Sequence, residues 1–465
     1  MPPSIALLGC VLFVLVLLRQ EAKESAGGVT PFLWVPTVWF LITASRSLGL
    51  WLGTGGATIE EGSATDRMSL FVLFVIALAT LMARQFPWST TLRDQKWVVM
   101  LLAFMLLSCV WSDTFFISFK RWFRDAIAVV MCMCVLSEPR PRMAIESLLR
   151  RVIYICIPFS YVLIHYFPEY GKIYVHTEGV EMWTGVTLHK NQLAQLCLIS
   201  FLLISWRIAT RKPNNKQSWP VRLSLFLEVV ILLITMLLFI GPDRRITYSA
   251  TALLATVAGL GTLGFLLWHQ RRGTQPALFL VVAVTAFLIG YGTLTPFLGK
   301  LSLLDVSSAV GRTSNLTGRG EVWKSLHPAV SKSPFLGYGY GAFWTTEARE
   351  IYDISDAHNG YLGVILETGF VGLLLYAMFL LSAAINAHRF FPIDYNWGAL
   401  CLIFAVSILL HNIGESSLNS FSARLTGLLL LLNLSCNNGE SELADTELGR
   451  NPVGNLSKEE CRGEA

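Results

Sequence analysis

Charge is the scarcest ingredient of this chain. Asp, Glu, Lys and Arg make up 14% of its 465 residues and hydrophobic residues 54%, whereas a soluble globular domain carries nearer a quarter charged residues. That shortage excludes an ordinary water-soluble fold. The nine cysteines are scattered, with no CxxC and no metal-type Cys/His spacing, which excludes a zinc module or a dithiol redox motif. Most of them (Cys10, Cys109, Cys132, Cys134, Cys156, Cys197, Cys401) fall inside apolar runs and read as small buried hydrophobes. There is no P-loop and no internal repeat. The glycines at 337, 339 and 341 do not follow a strand, so a dinucleotide-binding reading fails. No basic stripe interleaves with aromatics, which excludes a nucleic-acid partner. The first apolar run lacks a basic leader and a small-residue cleavage site, and reads as a retained helix rather than a signal peptide.

What is abundant is apolar sequence in runs that suit a bilayer core of about 30 Å. Thirteen candidate spans follow: 4–18, 31–52, 69–85, 97–111, 123–137, 152–167, 191–206, 223–240, 247–268, 277–295, 360–386, 396–413 and 421–434. Several are short, and one suits a re-entrant segment. The expected fold is therefore an all-α polytopic membrane protein with about 11–13 transmembrane helices and one large extracytoplasmic loop. The chain divides into N-terminal transmembrane helices (1–295), a large polar loop (296–359), C-terminal transmembrane helices (360–436) and a solvated, disordered tail (437–465). If the spans alternate, one set of connections holds Arg140, Arg142, Arg150, Arg151, Arg207, Arg211, Lys212, Lys216, Arg222, Arg271 and Arg272. The positive-inside rule places these in the cytoplasm and the 296–359 loop outside.

Ionisable residues at the outer ends of spans are where function is sought in such a protein. Trp111-Ser-Asp113 with Ser118, Lys120, Arg121 and Arg124 reads equally as a headgroup belt and as a substrate face. Lys190 and Asn191 open a span, where a lysine beside free backbone N–H groups makes an anion site as readily as an anchor. Arg244 and Arg245 lie adjacent in a very short outer turn, against the positive-inside bias, and guanidinium forks match phosphate oxygens. Arg312 and Arg319 stand in the large loop, where solvated arginines are the commoner case. His358, in Asp356-Ala-His358-Asn359-Gly, sits at a helix start. There the positive end of the helix dipole disfavours protonation and leaves a neutral imidazole able to take a proton. Glu367, about 14 Å into that helix at 1.5 Å per residue, reads as a structural carboxylate in need of a partner. Glu415, after Asn412 at the end of another span, reads equally as structural and as functional.

The ordered set of these segments resembles the O-antigen ligase and polysaccharide polymerase superfamily, especially its exopolysaccharide-polymerisation members. The match is carried by Trp111-Ser-Asp113 with Ser118, His189-Lys190-Asn191-Gln192 and Ser249-Ala-Thr251-Ala-Leu-Leu. It continues through Leu316-Thr-Gly-Arg319-Gly-Glu-Val-Trp323, Pro334-Phe-Leu-Gly-Tyr338-Gly-Tyr-Gly-Ala-Phe343 and Ala357-His-Asn-Gly-Tyr-Leu362. Leu366-Glu-Thr-Gly369 and Asn412 with Glu415-Ser complete it. One departure is Gly320, which follows Arg319 where the family text carries a threonine. The resemblance implies a GT-C-like fold in a bacterial inner membrane, with the site facing the periplasm. It implies metal-independent, inverting glycosyl transfer without a cofactor, from a polyprenyl-pyrophosphate-linked glycan donor to a glycan acceptor. In that light His358 and Arg319 are the expected catalytic residues. Arg312, Arg244, Arg245, Lys190, Asn191, Tyr338 and Glu415 are the expected pyrophosphate and sugar contacts. The aromatics of 337–344 offer sugar-stacking faces on a pliable backbone, or dip into headgroups as a belt. Membrane lipid is a partner by construction, and chain-length regulators and flippases are candidate protein partners. A polymerase and a ligase share this chemistry. A glycan transporter or flippase ranks third, because its charges should line a central path rather than gather at one face.

Overall fold

A computed structural model describes residues 2–54, 63–174, 181–211, 219–241, 249–298, 319–354 and 356–436. It is an all-α polytopic membrane protein. Leaving single-turn helices unlabelled, the helices are α1 (Pro3–Glu24), α2 (Trp34–Ala44), α3 (Ala64–Ala83), α4 (Trp88–Asp94), α5 (Lys96–Ser108), α6 (Phe115–Leu136), α7 (Pro141–Tyr166) and α8 (Lys190–Thr210). They continue as α9 (Trp219–Ile240), α10 (Ala250–Arg271), α11 (Leu278–Leu298), α12 (Arg319–Lys332), α13 (Thr346–Tyr352), α14 (Gly360–Arg389), α15 (Tyr395–Gly414) and α16 (Arg424–Cys436).

Among the described residues nine helices are long and apolar enough to span a bilayer, and Trp88–Asp94 with Lys96–Trp111, bent by 89°, forms either a broken tenth span or a re-entrant loop. The apolar helices at 31–44 and 424–436 are shorter. α6 runs 22 residues but carries Lys120, Arg121, Arg124 and Asp125 in its first half. Each of the thirteen apolar runs thus has a helical counterpart, though not each is a full crossing.

Burial sorts the helices. In the most apolar stretch of α15, 89% of residues are buried, against 17% for α3. α15 packs on α8, α10, α11 and α14 and forms the centre of the bundle, while α3 lies at its edge. The exposed Leu8, Leu12 and Leu15 of α1 and Phe279 and Phe287 of α11 would be liabilities in water. In a bilayer they face hydrocarbon at no cost. The only strands among the described residues are Lys172–Tyr174 and Glu181–Trp183, an antiparallel pair tied by Lys172 to Glu181 at 2.8 Å.

The two ends of the bundle carry different chemistry. At one end Arg150 pairs with Glu24 (2.8 Å), Arg151 with Glu21 (2.9 Å), and Arg207 with Glu24 (3.3 Å), Glu228 (2.8 Å) and Glu146. Arg150, Arg151 and Arg207 therefore lie within helices and are neutralised internally, whereas the sequence reading counts them among loop cations. α8 runs from this network at Arg207 to Lys190, about 25 Å away at 1.5 Å per residue. The N-terminus of α8 and the C-terminus of α15 meet at the other end, and the candidate site lies there.

α14 is broken where it matters. Gly369 adopts φ 66°, ψ −169° in mid-helix, and the turn from Pro334 to Gly341 fills the break. Tyr338 N donates to Leu366 O (3.0 Å) and Gly339 N to Glu367 O (2.9 Å). In return Phe370 N donates to Pro334 O (2.9 Å) and Val371 N to Phe335 O (3.2 Å). The turn thus satisfies backbone groups that a kink leaves open. Gly337, Gly339 and Gly341 have φ of 66°, 99° and 64°, the left-handed region that side chains avoid. A Cβ on Gly339 would also meet that of Ser112 at 2.8 Å.

Candidate active site

His358 is held from three directions. Its own backbone is left-handed (φ 49°) and its N–H donates to Asp356 Oδ1 at 2.7 Å. On the N-terminal side, Trp323 Nε1 of α12 donates to Ala357 O at 3.0 Å. On the C-terminal side, Asn359 caps α14 by accepting from Leu362 N (2.8 Å). The same side chain donates to Gly292 O (3.1 Å) and Ile413 O (3.0 Å), and Asn359 N donates to Ser416 Oγ (3.1 Å). Asn359 is fully buried, so each of these bonds replaces one that water would otherwise supply.

Glu415 is the hub. It follows the last residue of α15, and its side chain is 8% exposed. Arg319 Nη2 donates to Glu415 Oε1 at 2.6 Å and Asn191 Nδ2 donates to the same oxygen at 2.9 Å. Arg319 Nη1 reaches Thr251 Oγ1 at 3.5 Å. Asn412 fixes the turn beneath by accepting from Ser417 N (3.0 Å) and Ser417 Oγ (3.1 Å). His358 Nδ1 stands 3.3 Å from Asp356 Oδ1 and 3.9 Å from Glu415 Oε2. The longer distance is a charge contact rather than a formed hydrogen bond.

Four segments far apart in sequence, at 190, 251, 319 and 356–358, thereby converge on 415. Glu415, whose role the sequence leaves open, organises the cluster.

The electrostatics differ from the sequence expectation in one respect. The helix dipole predicts a disfavoured imidazolium, but the His358 pKa is raised above the ordinary imidazole value. The Glu415 carboxylate is the main cause and Asp356 adds to it, against burial and Arg319. Two carboxylates beside the ring outweigh a dipole at the neighbouring helix start. For Glu415, burial pushes the pKa up, but His358, Arg319 and His411 together hold it below the usual carboxylate range.

The remaining expected contacts divide. Lys190 begins α8 beside Asn191 and so lies at the cluster. Tyr338 serves the turn: its hydroxyl donates to Ala329 O (3.1 Å) and its ring packs on Phe343 with centroids 5.1 Å apart. Tyr340, Phe343 and Trp344 are buried, and the backbone between them is pinned to α14. The 337–344 turn is thus neither pliable nor an exposed headgroup belt. Arg244, Arg245 and Arg312 lie outside the described residues, as does the tail from 437. Trp111-Ser-Asp113 packs beneath the glycine turn: Tyr340 N donates to Ser108 Oγ (2.9 Å), and Ser112 Oγ shares a hydrogen bond with Ser118 Oγ (2.7 Å).

Sequence reasoning missed Arg349, which falls in the large polar loop. It also passed over Thr251 and Asp356 as site members. Asp356 was findable from its place two residues before His358.

Against this geometry the comparisons with known proteins become informative. Residues 245–377 match the family model described as O-Antigen ligase. Over that segment the chain is similar to the O-antigen ligase family. It contains Thr251, Arg319, the glycine turn, His358 and the Gly369 break, whereas Asn191 and Glu415 come from outside it. The matched segment therefore supplies the imidazole and the guanidinium, and the flanking helices supply the carboxylate that joins them. The chain is also similar to the exopolysaccharide production protein ExoQ of Rhizobium meliloti (strain 1021), at 32% identity over 148 residues. That match covers 29% of this chain and 33% of ExoQ, so the chain spans about a third of the length of the curated relative it matches. Both findings agree with the resemblance read from the ordered motifs.

Proposed function

We propose that the protein is a membrane glycosyltransferase. It polymerises polyprenyl-pyrophosphate-linked oligosaccharide repeat units into exopolysaccharide or O-antigen at the outer face of the bacterial inner membrane. The observation that carries this reading is the meeting of His358 and Arg319 on one buried carboxylate, Glu415.

Glycosyl transfer from a pyrophosphate needs a base for a weak hydroxyl nucleophile and fixed positive charge for the departing phosphate. The cluster offers both within one turn of structure. An acceptor hydroxyl oxygen attacks the anomeric carbon of the donor sugar. The bond from that carbon to the pyrophosphate oxygen breaks, its electron pair leaves with the polyprenyl pyrophosphate, and the hydroxyl proton passes to His358. Attack opposite the leaving group inverts the anomeric centre, and no step requires a metal. Asp356 and Glu415 lie on the Nδ1 side of the ring, so Nε2 is the nitrogen assigned to the acceptor. Arg319 stabilises the developing phosphate charge with the N–H groups that Glu415 and Thr251 leave over. Lys190, Arg244, Arg245 and Arg312 are assigned to the same pyrophosphate, with the 296–359 loop on the outer face.

A ligase moving a finished glycan to another acceptor is the second reading, favoured by the family description itself. Vesicles carrying His358→Ala or Arg319→Ala test the assignment. Both should block glycan transfer: for a polymerase, lengthening stops and single repeat units accumulate, whereas for a ligase, lengthening continues and long chains remain on lipid. Normal elongation by both variants overturns the proposal.

A further inference from the structure

A cavity of about 1560 Å³ lies beside the His358 cluster, between α2, α3, the start of α6 and the 340–349 turn. Its lining holds five cations, Arg67, Lys120, Arg121, Arg124 and Arg349, against three carboxylates, Asp66, Asp356 and Glu367. Among the described residues, no carboxylate lies within 4 Å of Lys120, Arg121, Arg124 or Arg349 to form an ion pair. Nε of Arg349 is buried without a hydrogen-bond partner. A buried donor left open in this way costs free energy unless a ligand supplies the acceptor. Arg121 is seated by donating to Gly341 O, so the glycine turn also fixes one wall of the cavity.

Much of the remaining lining is hydrocarbon-like: Val38, Ile42, Phe71, Val72, Leu73 and Phe123 contribute to it. Met68 and Phe71 are exposed on α3, the least buried of the nine spans, so the cavity opens sideways towards lipid. With a cluster of cations and a largely apolar remainder, open to the bilayer, the space suits an amphiphile with a phosphate head. Asp356 lines this cavity and also stands 3.3 Å from His358 Nδ1, so the cavity adjoins the His358 cluster.

We propose that this cavity is a second phosphate-lipid site, distinct from the Arg319 site, and that it seats the lipid-anchored acceptor. The acceptor role rests on the glycosyltransferase reading; the binding of a phosphate-bearing lipid does not. The cations take the phosphate, the apolar side chains of α3 and α6 take the first part of the hydrocarbon chain, and the acceptor sugar is presented towards His358.

The experiment uses the full chain in phosphatidylcholine nanodiscs with a photoactivatable long-chain polyprenyl phosphate as probe, cross-linked sites being mapped by peptide mass spectrometry. Wild type should label residues 68–73 of α3. The double variant Arg124→Gln/Arg349→Gln should lower that labelling about tenfold, the size expected when two charge-assisted bonds are weakened. Lys120→Gln, at an exposed position where folding is not at stake, should lower it about threefold on the same grounds. Arg319→Gln and His358→Ala should leave it unchanged. Equal labelling in the double variant and wild type overturns the proposal. So does competition by inorganic phosphate at the probe's own concentration, which marks a free-anion site. Equal competition by phosphatidylglycerol overturns it as well, by marking a general headgroup contact. If α3 labelling behaves as expected while His358→Ala and Arg319→Ala still elongate glycan, the glycosyltransferase reading fails and the lipid site stands.

Discussion

Replacing Glu415 by Gln removes a charge but keeps a similar shape, and the hub predicts three linked effects. Arg319 loses the partner of its 2.6 Å bond in a site where its own side chain is 13% exposed. A guanidinium that drifts from the developing phosphate charge forfeits stabilisation of about 3–4 kcal/mol, as for other fixed oxyanion donors, or about 10²- to 10³-fold in rate. His358 loses the main cause of its raised pKa. A base must be neutral, so activity rises with pH through the His358 pKa, and the acid limb of the profile should move to lower pH in Glu415→Gln. Asp356→Asn should move the limb the same way with a much smaller fall in rate, because Asp356 does not hold Arg319. Stability shifts too. The raised His358 contributes stability that is full below the ordinary imidazole pKa and is lost as pH rises through the raised value. The depressed Glu415 contributes stability present above the ordinary carboxylate pKa and lost as pH falls through its lowered value. The assay is glycan elongation in reconstituted vesicles across pH, with thermal unfolding of the same samples. An acid limb that stays in place in both variants refutes the linkage between these carboxylates and the base.

Further outcomes follow from other parts of the fold. Gly369→Ala forces a side chain into a left-handed backbone and against the Phe335 carbonyl. It should cost about 1–3 kcal/mol, read as a lower unfolding temperature in detergent. Asn359→Ala loses the cap of α14 together with the bonds to Gly292 and Ile413. It should lower stability by about 2 kcal/mol or more and depress elongation more than binding of the donor, since it frees His358. Arg207→Ala removes the partner of Glu146 and leaves Glu228 only the longer contact to Arg211 (3.7 Å) at the opposite end of the bundle. It should cost about 3–5 kcal/mol, seen as loss of folded protein, while the folded fraction keeps its specific activity.

The membrane architecture was legible because each crossing must satisfy its own backbone within a continuous apolar run, and that requirement writes itself into local sequence. The break at Gly369 was not legible, since Leu366-Glu-Thr-Gly369-Phe reads as unbroken helix until the turn at 334–341 is seen to bond with it. His358 and Arg319 stood out as polar residues in an apolar chain. Glu415 did not, because its importance lies in three partners drawn from residues 191, 319 and 358. Arg150 and Arg151 illustrate the converse. They read as loop cations, yet Glu21 and Glu24, more than a hundred residues earlier, neutralise them inside the bundle. Long-range pairing of charges leaves no periodicity to read. The large cavity was invisible for the same reason, with its cations supplied by α3, α6 and α13.

The most direct test of the central claim is single-turnover transfer by His358→Ala with a polyprenyl-pyrophosphate-linked glycan, measured beside binding of that donor. Loss of transfer by about 10²-fold or more, with donor affinity near that of wild type, is the predicted result. Transfer at the wild-type rate, or loss accounted for by weakened donor binding alone, contradicts the assignment of His358 as the base.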